Sequence, residues 1–304
     1  MSARLPVIVN ASAGSQRADD VASDLAARFS AAGLDAEIRV TEPAQIGPEV
    51  RRAARDKPPI LVVAGGDGTL NAAAPLLIGG ETALGIVPLG TLNHFAKDLA
   101  IPLDLDGAIR TIADGRTTRV DLGMVNDRFF LNNSSLGLYP RVVAGRNDLQ
   151  QRLGRRKLPA LLWAGLAVFR RYPFLNVRID IEGSEFVRKT PFVFVGNNRY
   201  QMEGFRIGER LRLDNAVLSL YVANRTGRLG LIRLAIRALF KRLEQSKDFD
   251  AASASSFVVE TRHDRLRIAN DGELCMLETP LLYRVLPAAL LVVVPSQDRA
   301  AAGA

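Results

Sequence analysis

"VVAGGDGTLNAAA", residues 62 to 74, begins as a buried strand and ends as a helix, with Gly65, Gly66, Asp67, Gly68 and Thr69 at the junction. The strand belongs to a longer apolar run, "PILVVAGG" (59 to 66), which has no polar face and so must be covered on both sides, as in a parallel sheet. Glycines at its end let the backbone adopt positive φ and bring N–H groups close to a phosphate. A helix starting near Thr69 adds the positive end of its dipole. A carboxylate in such a loop would repel phosphate on its own. It fits a site that also binds a divalent cation, or a group that must take a proton. The competing reading is a tight turn without a ligand, but the strand–loop–helix context favours a nucleotide-phosphate and metal site.

Working outward, the same rhythm repeats. "PVIVN" (6 to 10) is a short apolar strand that leads through "ASAGS" into a helical stripe of Val21, Leu25, Phe29 and Ala32, stopped by Gly33. "AEIRV" (36 to 40) is followed by a helix containing "EVRRAARD", and "ALGIVPLG" (83 to 90) by a helix at "DGAIRTIADG" (106 to 115). This alternation predicts a parallel sheet with helices on both faces. Three polar or glycine-rich turns each follow a strand: "NASAG" (10 to 14), "GGDGT" (65 to 69) and "PLGTLN" (88 to 93). In a parallel sheet they share the edge beyond the carboxyl ends of the strands, where ligands bind. Taken alone, "NASAG" reads as a turn.

Near residue 117 the pattern changes to short alternating strands. "RVDLGMV" and "RFFLNN" flank a hairpin turn at Asn126-Asp127, and "LNVRIDIEG" returns as "FVRKTPFVFVGNN". "LRLDNAVLSLYVAN", "FVVETRHDRLRIAN", "PLLYRVLP" and "ALLVVVP" read as further strands, with helical stretches near 147 to 171 and 227 to 247. The fold class expected is α/β plus β: a parallel α/β nucleotide-binding domain over 1–122, then an antiparallel β-rich domain over 123–295 whose last strand can return to the first. The tail 296–304 is expected to be disordered.

Composition narrows the function classes. The formal net charge is +8, which favours an anionic partner such as a nucleotide or an anionic membrane. Only 6% of residues are aromatic and no nucleic-acid-binding motif occurs, so nucleic acid is not expected. One cysteine, Cys275, excludes an internal disulfide and fits a reducing, cytoplasmic setting; it reads as a core or strand residue. The opening "MSARLPVIVN" is too short in apolar residues for a signal peptide, and "LPALLWAGLAVF" (158 to 169) is too short to span a bilayer. His94 and His263 are isolated in sequence and are not expected to bind metal.

"GGDGTLN", "PLGTLNHFAKDLAIP" and, far downstream, "NDGELCMLETP" together resemble the diacylglycerol kinase catalytic family, which includes bacterial soluble lipid kinases and the sphingosine and ceramide kinases. The resemblance runs from Asn10 to about Pro295. "GGDGT" by itself is shared with NAD kinases and phosphofructokinases; the extended second motif and the "DGE" favour the lipid kinases. The resemblance implies transfer of the γ-phosphate of ATP, with Mg²⁺, to a hydroxyl of a lipid such as diacylglycerol. It implies an ATP site lined by Asn10, Ala11, Ser12, Ala13, Gly14, Thr41, Gly65, Gly66, Asp67, Gly68, Thr69, Leu70, Asn71 and Thr91. It also implies Glu273 as proton acceptor, with Asp67 the competing candidate, and an inter-domain cleft that lets the β domain reach the phosphate loops. A solvated turn residue is what "NDGE" would otherwise suggest for Glu273.

The chain departs from the family pattern at three points. Ala72 follows "GGDGTLN" where an acidic residue is usual, and the first loop reads Asn10-Ala11 in place of Asn-Pro. At a turn that carries a metal in bacterial members, Asn215 stands where an Asp is expected, with Asp214 one residue before it as the substitute ligand. The helix "GRLGLIRLAIRALFKRLEQSK" carries a basic row, Arg233, Arg237 and Lys241, and "QRLGRRK" (151 to 157) a second basic cluster. Either could hold the enzyme on an anionic membrane surface as a peripheral protein on the inner face; a helix packed on the core is the alternative. Two other functions stay open: an NAD-kinase-like phosphotransferase for a soluble substrate, and an inactive nucleotide- or lipid-binding protein. The oligomeric state is open, a homodimer included.

Overall fold

The apolar runs at the start of the chain form parallel strands, each followed by a helix. They are β1 (Leu5–Asn10), α1 (Ala18–Ala31), β2 (Ala36–Thr41), α2 (Ile46–Ala54), β3 (Ile60–Gly65), α3 (Asp67–Ala73), β4 (Ala83–Pro88), α4 (His94–Asp98) and α5 (Leu105–Asp114). The computed structural model describes residues 4–13, 18–137, 174–201, 209–210, 212–223 and 249–296. Two compact units divide the chain: Met1–Leu122 with Pro287–Ala304, and Gly123–Leu286. Gly14, the two helical stretches expected near 147 to 171 and 227 to 247 with their basic residues, and all of the tail after Ser296 lie outside the described residues.

In the first unit β1 lies between β2 and β3, and β3 pairs with β4, all parallel. The inner strands are buried at nearly every position, as their unbroken apolar runs require. Val7, Val9, Val62, Ala64 and Val87 pack against Leu25 and Phe29 of α1 and Ile109 and Ile112 of α5. The stripe read from the sequence is thus the core face of α1. Helix ends follow local chemistry. Asp104 caps α5 by accepting from the Gly107 N–H at 2.7 Å, and Gly115, at φ 66°, ends it. The helix after "GGDGT" begins two residues earlier than expected, at Asp67, because Gly66 is its extended N-cap.

The rest of the chain forms β5 (Thr117–Val125), β6 (Arg128–Phe130), β7 (Asn133–Gly137), β8 (Leu175–Ile181), β9 (Ser184–Thr190), β10 (Phe192–Asn197), β11 (Tyr200–Gln201), β12 (Glu209–Arg210), β13 (Leu218–Ala223), β14 (Phe249–Ala254), β15 (Ser256–Thr261), β16 (Arg265–Asn270), β17 (Glu273–Glu278) and β18 (Leu281–Val293). In the second unit β18, β15, β8 and β9 pair antiparallel in that order. A second antiparallel sheet runs β14-β13-β10-β7-β16-β17. The core holds Phe130, Leu136, Val177, Ile179, Val193, Val195, Leu220, Phe257, Val259, Ile268 and Tyr283. Tyr283 stacks on Phe257 at 5.1 Å, and its hydroxyl meets that of Ser134 at 3.1 Å.

Two of the differences from the sequence reading fall at prolines. "FVRKTPFVFVGNN" is split at Pro191: β9 pairs with β8 in one sheet, while β10 pairs with β7 and β13 in the other. Thr190, fully buried, holds this corner by donating to the carbonyls of Phe192 and Ala223, both at 2.9 Å. Conversely, "PLLYRVLP" and "ALLVVVP" are one strand, β18, running through Pro287. The kink is absorbed by Ala288 at φ 49°, whose N–H is taken by Asp121 Oδ1 at 2.9 Å in place of a ladder partner.

Candidate active site

Three loops meet at the carboxyl edge of the first unit's sheet. Asn10 ends β1, and its side chain folds the next residues: Oδ1 accepts from the Ser12 N–H at 2.9 Å, while the Asn10 carbonyl accepts from Ala13 at 3.0 Å. Its Nδ2 donates to Thr69 Oγ1 at 2.8 Å, joining the first loop to the second. The carbonyl of Thr41, the last residue of β2, accepts from the Ala11 N–H at 2.9 Å. Asn10, Ala11, Ser12, Ala13, Thr41 and Thr69 are therefore brought together.

The second and third loops are pressed backbone to backbone. A Cβ on Gly90 would stand 2.5 Å from Gly66 Cα and 2.6 Å from Asn93 Oδ1, so only glycine fits. Gly65 is equally closed to a side chain by Thr69. Asn93, at φ 50°, locks the third loop: its Oδ1 accepts from the Gly90 N–H at 3.0 Å and its Nδ2 donates to the Gly90 carbonyl at 2.8 Å. Asp67 reaches across with Oδ1 to the Phe95 N–H at 3.2 Å, at the start of α4. The sequence reading missed Gly90 and Asn93 as individual residues, though both stand in the quoted "PLGTLN".

The remaining residues expected in the ATP site divide. Gly68, in the first turn of α3, and Thr91, on the third loop, are exposed. Leu70 is 1% exposed, and its side chain belongs to the core; its contribution to a ligand is limited to backbone. Asn71 Oδ1, in the second half of α3, is buried without a hydrogen-bond partner, an acceptor with spare capacity.

Glu273 belongs to the second unit and opens β17 after the turn at Asp271-Gly272. It is exposed to solvent, and partial desolvation of its carboxyl raises the pKa above the ordinary range. Burial likewise raises the Cys275 thiol, which disfavours a nucleophilic thiolate there. A cavity of about 460 Å³ in this unit is lined by Met124, Asn126, Phe257, Leu282, Tyr283 and Arg284 among others, and none of the expected site residues lines it.

The turn expected to carry a second metal has a donor set that does not fit one. Both oxygens of Asp214 are held by the Arg212 guanidinium, at 2.9 and 3.0 Å, and this pairing lowers the Asp214 pKa. Asn215 offers a neutral amide, and its N–H is bound by Asn198 Oδ1 at 2.9 Å. Among the described residues no three His, Cys, Asp or Glu side chains cluster to hold a metal ion. A metal bound by Asp214 at this turn would have to displace the Arg212 guanidinium.

Strand-end loops gathered around backbone glycines at the carboxyl edge of a parallel sheet are where α/β proteins bind phosphates and nucleotides. Residues 4–125 match the family model of the diacylglycerol kinase catalytic domain, and 135–294 that of the YegS C-terminal NAD kinase beta sandwich-like domain. A diacylglycerol kinase of Staphylococcus epidermidis strain RP62A is 35% identical over 232 residues, covering 74% of this chain and 72% of that protein. A diacylglycerol kinase of Staphylococcus aureus strain MRSA252 is 28% identical over 233 residues, with the same coverage. The crystal structure of a diacylglycerol kinase from Bacillus anthracis strain Sterne superposes with a TM-score of 0.70 at 21% identity over 96% of both chains, a likeness of fold. The chain belongs to the diacylglycerol kinase family. It is a phosphotransferase of the lipid-kinase class with an alcohol group as acceptor.

Proposed function

We propose that this chain transfers the γ-phosphate of ATP to the free hydroxyl of diacylglycerol, with Mg²⁺, at the cytoplasmic face of a membrane. The observation that carries this reading is the convergence of three strand-end loops, Asn10 on Thr69, Gly66 against Gly90, and Asp67 on Phe95. On this reading the described residues expected at the ATP site, Asn10 to Ala13, Thr41, Gly65 to Asn71 and Thr91, would line the bound nucleotide. The buried Asn71 Oδ1 supports the same reading, since it can accept from a nucleotide hydroxyl or amino group.

Asp67 would hold the Mg²⁺ through Oδ2, the oxygen not engaged by Phe95. Bound there, Mg²⁺ supplies charge neutralisation at the transferring phosphoryl group. Glu273 takes the proton of the lipid hydroxyl. As that oxygen bonds to the γ-phosphorus, the bond to the bridging oxygen of ADP breaks and ADP leaves. The desolvation that makes the Glu273 carboxylate more basic suits this task.

The test is phosphate transfer from γ-labelled ATP to diacylglycerol, NAD and a set of sugars offered separately. Label is expected in diacylglycerol. Label in NAD alone would move the chain to soluble acceptors, and no transfer to any acceptor would make it a binding protein.

A further inference from the structure

The turn that carries Glu273 is held by groups that the reaction scheme does not use. β16 and β17 meet at Asp271 and Gly272, at φ 47° and 83°, a two-residue hairpin turn that closes by itself when exposed. Here the Asp271 carboxylate, part-buried, accepts three successive backbone N–H groups. Oδ2 takes that of Leu131 at 2.7 Å, and Oδ1 takes those of Asn132 and Asn133, both at 2.8 Å. The Asp271 N–H donates back to the Asn133 carbonyl at 2.8 Å.

The segment 131–133 is gripped from its other side as well. Arg210, 5% exposed, donates Nη1 to the Leu131 carbonyl at 2.8 Å and Nη2 to Asn132 Oδ1 at 2.6 Å. Asn197 Nδ2 donates to the Leu131 carbonyl at 3.0 Å, and the Tyr200 hydroxyl to that of Asn132 at 2.8 Å. Enclosing a carboxylate and a guanidinium is costly unless each is fully hydrogen-bonded, and a hairpin turn alone needs neither. What the arrangement fixes is the position of the first residue of β17.

We infer that Asp271 and Arg210 are positioning residues that clamp the segment 131–133 and thereby hold Glu273 where the acceptor hydroxyl arrives. The inference rests on Glu273 being the proton acceptor. The balance of burial and three N–H bonds leaves Asp271 with a pKa of about 6, so the clamp is ionised and made at neutral pH. Small displacements of a catalytic group cost turnover far more than binding.

The test is a double-mutant cycle on the full chain, with ATP and diacylglycerol in mixed micelles. Asp271→Asn keeps the size of the side chain but turns one acceptor oxygen into a donor facing an N–H. It is expected to lower kcat by roughly tenfold or more, with KM for ATP within about twofold of wild type. Added to Glu273→Gln, it is expected to cost less than about threefold further, because its effect passes through Glu273. Loss of folded enzyme would instead multiply in both backgrounds. Arg210→Lys keeps the buried charge, loses the fork, and gives a second cycle should Asp271→Asn not fold. A slow Glu273→Gln with multiplicative losses in the cycle overturns the clamp alone. Near-normal turnover in Glu273→Gln overturns the base assignment and the clamp with it. Wild-type kcat in Asp271→Asn overturns the clamp outright.

Discussion

Asp67 and Glu273 are the two carboxylates that compete for the role of base, and their surroundings separate them. Asp67 spends one oxygen on the Phe95 N–H inside the phosphate loops, whereas Glu273 has no hydrogen-bond partner among the described residues and a pKa raised by desolvation. Asp67→Asn keeps an oxygen for Phe95 while removing charge, so the fold should survive. Its ATP KM is expected to rise and to lose its dependence on Mg²⁺, which a Mg²⁺ titration of steady-state kinetics reads directly. Asp271 adds a pH signature. Its folded pKa of about 6 lies above the ordinary 3.8, so the folded state binds more protons between the two values. The stability this group contributes is present below about 3.8 and is lost as pH rises through about 6. Urea unfolding between these pH values should show that slope in wild type and a flatter one in Asp271→Asn. Equal slopes would mean that Asp271 does not titrate there. None of this was legible for Asp271 or Arg210, because "NDGE" is also ordinary turn chemistry and Arg210 sits in a stretch with no motif. The partner of both, segment 131–133, is remote in sequence.

At the scale of elements, the phosphate loops were legible because each combines a doubly buried strand with a glycine turn. What the sequence could not express is which glycines face one another. Gly66 and Gly90 are 24 positions apart, and the contact of their backbones becomes visible only when β3 and β4 lie side by side. Gly90→Ala must push the two loops apart, and overpacking of this kind costs about 1–3 kcal/mol. The expected outcome is a lower midpoint of thermal unfolding together with loss of nucleotide binding by calorimetry. A variant of wild-type stability and affinity would show that the close approach is not needed. Prolines misled the reading of strands for a physical reason. Pro191 divides a run between two sheets, whereas Pro287 is carried inside a strand because Asp121 takes the N–H of Ala288. A lone sequence shows the missing donor but not the side chain that compensates nearby.

At the scale of the molecule, the expected order of an α/β domain and an antiparallel β domain holds. Among the described residues no helix is long and apolar enough to cross a membrane. On the proposed function, the net charge of +8 would favour an anionic lipid surface as the place where substrate is met. Turnover of diacylglycerol in vesicles is expected to rise with the fraction of anionic lipid and to fall between low salt and about 0.15 M, where the Debye length shortens to roughly 8 Å. Turnover indifferent to both would separate substrate access from the protein's charge.

The claim on which the rest depends is that ATP phosphorylates diacylglycerol here with Glu273 taking the hydroxyl proton. Its most direct test is side-by-side turnover of wild type and Glu273→Gln with γ-labelled ATP and diacylglycerol at saturating Mg²⁺. Wild type should form labelled phosphatidic acid, and Glu273→Gln should bind ATP with unchanged affinity while turning over roughly 10²- to 10⁴-fold more slowly. Wild-type turnover in Glu273→Gln would contradict the assignment of the base, and absence of labelled phosphatidic acid from the wild-type reaction would contradict the function itself.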